Sequence, residues 1–126
     1  MKVFETGHSV NVVDENNVFV GFSTFQQCCE GFDAYIIKGD MQIDLDSIIY
    51  RKSVGFEGYV FDTTYFQEEG IEEEETNRAE FKLTKEGCED IFLVLSNTHE
   101  GHYYHGFTMK TGHDTKKQDL IFSGGV

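Results

Sequence analysis

The chain has 126 residues, the size of one domain with room for a hydrophobic core. Its 23 acidic residues outnumber its 10 basic residues and give a net charge of −13. A charge of this sign and size excludes direct binding to nucleic acid and to anionic membrane surfaces, because both would be repelled, whereas it attracts basic partners.

Two β-branched and aromatic runs near the N-terminus predict a hairpin. Residues 10–13 and 18–22 flank Asp-Glu-Asn-Asn at 14–17, a cluster suited to a tight turn. Residues 34–38 predict a further short strand. Residues 45–50 fit either a short helical turn, which we prefer, or another strand.

The middle of the chain predicts three strands around an acidic loop. Aromatic and threonine residues at 59–66 favour a strand that ends in the acidic stretch 67–75, interpreted as a loop. Beyond it, Phe81 and Leu83 alternate with polar residues, which indicates a half-buried strand. The apolar run 91–95 indicates a central strand, reached through a hairpin loop at 85–90. The expected core includes Phe81, Leu83, Ile91, Leu93 and Leu95.

The C-terminal part predicts two more strands. We expect residues 103–109 to pair back on 91–97 through a turn at Glu100 and Gly101, which completes a three-stranded meander. Residues 120–122 add a short strand, and residues 124–126 are expected to fray. The whole sequence therefore predicts a single compact domain over 1–126. It is mainly β, with α+β as the alternative, and built from antiparallel hairpins with one or two short helices.

The segment Gln26-Gln27-Cys28-Cys29-Glu30 follows the predicted hairpin and precedes Tyr35-Ile36-Ile37. In this position it resembles a family of small uncharacterised bacterial and phage proteins, which carry a Cys-Cys-Glu step after their first hairpin. The resemblance implies a compact β-rich fold and a phage or mobile-element accessory protein. It implies no reaction, so no catalytic residue follows from it.

A second element of the same resemblance lies near the C-terminus. Ser96-Asn97 with Gly101, Tyr103 and Tyr104 is similar to that family's Asn-Gly-Tyr-Tyr hairpin, although His102 stands here between the glycine and the tyrosines. With both elements, the resemblance extends from residue 10 to Met109.

Cys28, Cys29 and Glu30 form the first candidate ligand site. Thiolates bind soft metal ions well, but neighbouring residues of a strand point to opposite faces, so adjacent cysteines cannot easily chelate one ion. A structural role, with one cysteine packed as a small apolar residue, is therefore the preferred interpretation.

The second candidate ligand site is the segment that carries His99, His102, Tyr103, Tyr104 and His105. The three histidines recur every third residue, which would align them on a helix, but neighbouring glycines favour a hairpin. On a strand at most two of them share a site, since His102 and His105 face opposite ways. We expect a structural or surface role and no cofactor, with zinc as the alternative ligand.

No catalytic motif stands out in the sequence. A nucleophilic enzyme needs Cys or Ser beside His and an orienting carboxylate. The chain has no Gly-x-Ser-x-Gly elbow, no cysteine-protease signature and no phosphate-binding glycine-rich loop. We therefore expect a protein that is not an enzyme, and a small enzyme of unknown reaction is the least favoured alternative.

Two groups of carboxylates are the candidate partner-binding residues. The first group, expected on a folded face, is Asp40, Asp44 and Asp46. The second group belongs to the acidic stretch and comprises Glu68, Glu69, Glu72, Glu73, Glu74 and Glu75. Because a run of glutamates is usually a solvated loop, the partner-binding hypothesis depends on the total charge, which we treat as spread along the chain.

These features favour a small acidic interaction protein. In its most specific form it is a phage or mobile-element inhibitor that binds a basic, nucleic-acid-handling host or defence protein. The alternative is a metal-ion or small-ligand binder that uses the two candidate ligand sites. Three cysteines and the lack of a secretory or membrane-spanning pattern favour the cytoplasm, or the host cytoplasm for a phage protein.

Overall fold

The computed structural model describes residues 1–26, 30–45, 56–71, 76–99, 105–113 and 115–126. Most of these residues lie in β-strands. No helix within these ranges has the length and apolar character needed to cross a membrane. The strands in chain order are β1 (Lys2–Thr6), β2 (Ser9–Val13), β3 (Val18–Ser23), β4 (Glu30–Lys38), β5 (Met41–Asp44), β6 (Val60–Phe61), β7 (Gln67–Ile71), β8 (Thr76–Thr84), β9 (Ile91–His99), β10 (Gly106–Thr111) and β11 (Asp119–Gly125).

The first sheet is antiparallel, with the strand order β1-β2-β3-β10-β11. Its first three strands are joined by successive hairpins, and its last two come from the C-terminal part of the chain. The junction between these parts pairs Phe22 of β3 with Phe107 of β10.

The second sheet is also antiparallel, with the strand order β5-β4-β9-β8-β6, and β7 pairs with β8 as well. β9 lies at its centre, where Leu93 is opposite Ile36 of β4 on one side and Phe81 of β8 on the other. All strands of this sheet come from residues 30–99, between the two parts of the first sheet.

The hydrophobic core lies between the inner faces of the two sheets. Phe66 joins them, because its ring centroid is 5.5 Å from that of Phe81 in the second sheet and 5.1 Å from that of Phe122 in the first. The predicted core residues are confirmed, since each is 0% exposed: Phe81, Leu83, Ile91, Leu93 and Leu95. Burial of this apolar surface is the main favourable term in folding.

Asp14, in the turn after β2, connects the two sheets through its buried carboxylate. Its Oδ1 accepts hydrogen bonds from the backbone N–H groups of Asn16 (2.8 Å) and Val18 (3.0 Å). Its Oδ2 accepts from the N–H of Phe61 in β6 (2.8 Å). The acidic residue that suits the turn therefore also holds the second sheet against the first.

Most local elements predicted from the sequence are confirmed. The β2–β3 hairpin places Val12 opposite Val20, the β8–β9 hairpin encloses the loop at 85–90, and β4 and β11 include the strands predicted there. The helical turn preferred at 45–50 lies, beyond Leu45, outside the described residues.

The predicted pairing of residues 103–109 with 91–97 is wrong. β10 lies in the first sheet between β3 and β11, whereas the neighbours of β9 are β4 and β8. β4 matches β9 along all nine residues, from Glu30 opposite His99 to Lys38 opposite Ile91. This long partner occupies the edge of β9 that the prediction assigned to β10.

Two further predictions are wrong in the segment 59–71. The strand there is only β6, because the chain turns at Asp62, whose Oδ1 accepts from the Thr64 N–H (3.0 Å) and hydroxyl (2.6 Å). Residues 67–71 form β7 instead of a loop, while residues 72–75 lie outside the described residues. Among the described strands, β7 pairs with β8 alone. Such an edge strand tolerates charged side chains, so its glutamates do not prevent strand formation.

The expectation that residues 124–126 fray is also wrong. Val126 is 1% exposed, and its backbone N–H and C=O both bond to the backbone of His105 (2.9 Å each). Asn97 Nδ2 of β9 donates to the same Val126 oxygen (3.1 Å). Contacts with both sheets therefore hold this segment in place.

Candidate functional site

Charge is divided unevenly between the two sheets. The segments that supply the first sheet, 1–26 and 105–126, contain five acidic and four basic residues. The segment 27–104, which supplies the second sheet, contains eighteen acidic and six basic residues. The negative charge, expected to be spread along the chain, thus belongs almost entirely to the segment of the second sheet.

The outer face of the second sheet, which points away from the core, has an apolar floor. Tyr35 of β4 and Val94 of β9 are opposite each other and are 8% and 3% exposed, although neither belongs to the core between the sheets. Glu80 of β8 and Gln67 of β7 continue the same row. The row crosses four strands, so its side chains share one face.

A groove of about 350 Å³ opens over this row, and we call it the outer groove. Its lining residues are Tyr35, Ile37, Gln67, Glu68, Arg78, Glu80 and Val94. Its volume is within the range of ligand-binding clefts. It combines a buried apolar floor with the Glu80 carboxylate and the Arg78 guanidinium, so it can form both apolar contacts and charge-assisted hydrogen bonds.

Glu80 is held in position by Tyr65. The Tyr65 hydroxyl donates to Glu80 Oε2 at 2.5 Å. This bond, together with burial, raises the pKa of Tyr65 to about 12. Lys82 Nζ lies 5.6 Å from the centre of the Tyr65 ring and forms an ion pair with Asp90 (3.3 Å). The nearby lysine is thus paired with a carboxylate outside the outer groove.

Arg78 provides the positive charge of the outer groove. Its Nε is buried and has no hydrogen-bond partner among the residues that the structure describes. Burial raises the pKa of the Tyr35 phenol, and the Arg78 charge opposes that rise, whereas the Asp33 and Glu80 charges add to it. Tyr35 is therefore a neutral side chain at neutral pH, placed among charged ones.

The predicted partner-binding carboxylates occupy different places. Glu68 lines the outer groove, and Glu69 is in β7 opposite Arg78. Asp40 and Asp44 are exposed, in the β4–β5 turn and in β5. The remaining residues of both groups, Asp46, Glu72, Glu73, Glu74 and Glu75, lie outside the described residues.

Only part of the two candidate ligand sites can be placed. Glu30 and His99 are opposite each other at one end of the β4–β9 pair, so the two candidate ligand sites meet at these positions of the backbone. The described residues contain no group of three metal-ligating side chains. Five of the candidates lie outside the described part of the chain: Cys28, Cys29, His102, Tyr103 and Tyr104.

His105 is buried and packs between the two sheets. It is 5% exposed, and its ring stacks on Phe32 with the centroids 3.7 Å apart. Its Nε2 is hydrogen-bonded to the carbonyl oxygen of Ser23 in β3. The ring therefore connects the end of the first sheet to β4.

The candidate sites predicted from the sequence do not include Tyr35, Arg78, Glu80 or Val94. One signal was available: Arg78 and Glu80 alternate with Ala79 and Phe81, which places them on the outer face of a strand. Tyr35 and Val94 could not be found in this way, because apolar residues in a strand are expected to face the core.

No protein-family model, no curated protein and no solved structure matches this chain. The function of the outer groove is therefore inferred from its own geometry and charge.

Proposed function

We propose that this protein is a non-catalytic, acidic interaction protein that binds a basic protein through the outer face of its second sheet. The observation that carries this proposal is the uneven charge, with eighteen acidic and six basic residues in the segment that supplies that sheet. Negative charge concentrated in one sheet and its loops attracts a partner of opposite sign and orients it before contact.

A protein that handles nucleic acid is the natural partner. Its nucleic-acid-binding surface is rich in lysine and arginine, because it neutralises phosphates. The acidic face would compete with the nucleic acid for that surface. In this form of the proposal, a phage or mobile-element protein would inhibit a host or defence enzyme by occupying its basic surface.

The outer groove provides the apolar contact surface that a stable interface needs in addition to charge. Exposed ion pairs contribute little free energy, because water and salt screen them. Stable interfaces instead have a desolvated centre surrounded by polar residues. Tyr35 and Val94 form an apolar floor, and Glu68 and Glu80 lie beside it, which matches this arrangement.

The first test identifies the partner and measures its association rate. The untagged protein, immobilised at low salt, should retain a basic protein from host extract. With that partner purified, we expect the association rate to fall steeply between about 10 mM and 150 mM salt, where the screening length shortens from roughly 30 Å to 8 Å. An association rate that is independent of salt would refute electrostatic capture.

Matched variants test which sheet accelerates association with the basic partner. One variant removes three exposed charges from the second sheet and its loops, by Asp40→Asn, Asp44→Asn and Glu89→Gln. The control removes three exposed charges from the first sheet and its loops, by Glu5→Gln, Glu15→Gln and Asp119→Asn. We expect roughly tenfold slower association for the first variant and less than about twofold for the control. Equal slowing would contradict the assignment of the face.

A metal-binding function is the second candidate, and the pairing of Glu30 with His99 favours it. Carboxylate and imidazole are both zinc ligands, and Glu30 follows two cysteines in the sequence. Elemental analysis of protein purified without a tag tests this function. Near-stoichiometric zinc that is lost in His99→Ala would support it, and a metal-free protein that stays metal-free after zinc addition and dialysis would refute it.

A further inference from the structure

We propose that the outer groove binds an extended, basic segment of the partner protein. A backbone carbonyl of that segment accepts a hydrogen bond from Arg78 Nε, and a lysine or arginine side chain of the segment lies against Glu80, with Glu68 at the β7 end of the groove. This inference depends on the proposed function and gives that function a binding site.

The Arg78 side chain shows that an acceptor is needed. Its Nε is buried without a hydrogen-bond partner in the described ranges, and a buried N–H without an acceptor is unfavourable. Because Arg78 lines the outer groove, a molecule in the groove would supply that acceptor once the guanidinium turns towards it.

The charges around Arg78 select a neutral acceptor. Glu68 and Glu80 line the same groove, and Ser96, which is opposite Arg78, is itself opposite Asp33 in β4. Three acidic residues near one guanidinium repel a free carboxylate or phosphate. A peptide carbonyl has the required lone pairs and no net charge.

The same carboxylates select a positive side chain next to that carbonyl. The hydrogen bond from Tyr65 fixes Glu80 before a partner arrives, which reduces the ordering that binding requires. Tyr35 presents an aromatic ring in the same groove, and ammonium and guanidinium groups bind favourably over aromatic rings. A ligand that offers both a backbone carbonyl and a positively charged side chain is a basic peptide.

The dimensions of the outer groove suit an extended segment. The row from Tyr35 to Gln67 crosses four strands. Because neighbouring strands are about 4.8 Å apart, the row spans roughly 15 Å, which four or five extended residues at about 3.3 Å each would cover.

The experiment titrates the full chain with hexa-arginine and follows amide and arginine Nε–H signals by NMR. Hexa-citrulline serves as the uncharged control, since citrulline keeps the shape of arginine and loses its charge. We expect saturable shifts centred on Tyr35, Arg78, Glu80 and Val94, with slower solvent exchange of the Arg78 Nε–H. Shifts spread evenly over the second sheet would overturn the assignment of the groove.

Charge-matched double variants provide the second readout. Glu68→Gln with Glu80→Gln should weaken hexa-arginine binding at least tenfold. The control, Glu57→Gln with Glu86→Gln, removes two exposed charges from the same segment outside the groove and should weaken binding less than threefold. Because Glu80→Gln alters the Tyr65 hydrogen bond, Glu68→Gln alone and Arg78→Lys are measured as well, and each should weaken binding at least threefold.

The outcomes distinguish failure of the groove proposal from failure of the proposed function. Equal weakening in both double variants would refute the groove and leave the acidic face as the binding surface. Failure of hexa-arginine to bind better than hexa-citrulline at low salt would refute both. Saturable shifts of the Arg78 Nε–H with inorganic phosphate or glutamate would identify an anion site and overturn the proposed peptide mode.

Discussion

The Asp14 carboxylate accepts three backbone hydrogen bonds and is buried between the hairpin turn and β6. Asp14→Ala leaves those N–H groups without their acceptor, so we expect a loss of about 2–4 kcal/mol in the free energy of unfolding. Urea titration measures this loss. Glu15→Ala, at the exposed neighbouring position, is the control and should change stability by less than about 0.5 kcal/mol. Similar values for the two variants would show that Asp14 does not connect the sheets.

Tyr65 and Glu80 make folding depend on pH in the alkaline range. The pKa of Tyr65 is raised to about 12 in the folded protein, mainly by its bond to Glu80, whereas an unfolded chain has a value near 10. Between these values the folded state keeps a proton that the unfolded state has lost. The stabilisation is therefore complete below pH 10 and is lost as the pH rises towards 12.

The titration of Tyr65 can be measured from tyrosinate absorbance, as the difference between the protein and its Tyr65→Phe variant. We expect ionisation near pH 12, and in Glu80→Gln a pKa closer to 10. An unchanged pKa in Glu80→Gln would mean that burial, and not the hydrogen bond, is responsible for the shift.

At the scale of the elements, substitutions at two glycines with positive φ separate the cost of backbone strain from the cost of a steric clash. Gly7, in the β1–β2 turn, has φ +60° and open space where a Cβ would lie. Gly112, after β10, has φ +84°, and its Cβ would lie 2.5 Å from the backbone oxygen of Lys117. Gly7→Ala should cost about 1 kcal/mol and Gly112→Ala at least twice as much, measured by thermal unfolding. Equal losses of stability in the two variants would mean that Lys117 moves away from the added methyl group at little cost.

Elements closed by short turns could be predicted from the sequence. The β2–β3 hairpin follows from its Asp-Glu-Asn-Asn turn, and the β8–β9 hairpin follows from alternation around Phe81 and from Gly87. The partner of β10 could not be predicted, because Phe107 and Met109 indicate only an apolar inner face and would suit either sheet. β7 was missed since its charge suggested a solvated loop.

The outer groove could be predicted only in part. The alternation of β8 places Arg78 and Glu80 on one face, and Glu68 was already a candidate. Which strands carry the rest of that face depends on the pairing of β4 with β9, whose residues lie far apart in the sequence. No short-range pattern encodes such pairing.

At the scale of the whole molecule, the uneven charge also affects stability. Eighteen acidic residues in the segment of the second sheet repel one another, and salt screens this repulsion. We expect the melting temperature to rise between about 10 mM and 150 mM salt by an amount equivalent to about 1 kcal/mol, or roughly 3–5 °C for a chain of this size. Circular dichroism on heating measures it.

The two triple variants provide the control for this effect. At low salt, Asp40→Asn with Asp44→Asn and Glu89→Gln should raise the melting temperature more than Glu5→Gln with Glu15→Gln and Asp119→Asn. Equal changes would indicate that the repulsion is not confined to one sheet.

The position of β10 between β3 and β11 has a consequence for the order in which the protein folds. Roughly 85 residues separate Phe22 from its partner Phe107, so this pairing has a high entropic cost of loop closure. During synthesis, all strands of the second sheet leave the ribosome before β10. The first sheet must therefore close last, and we expect this non-local step to limit the folding rate. Until it happens, the edge of β3 is exposed as Val-Phe-Val-Gly-Phe, and the nascent chain is most vulnerable to aggregation there.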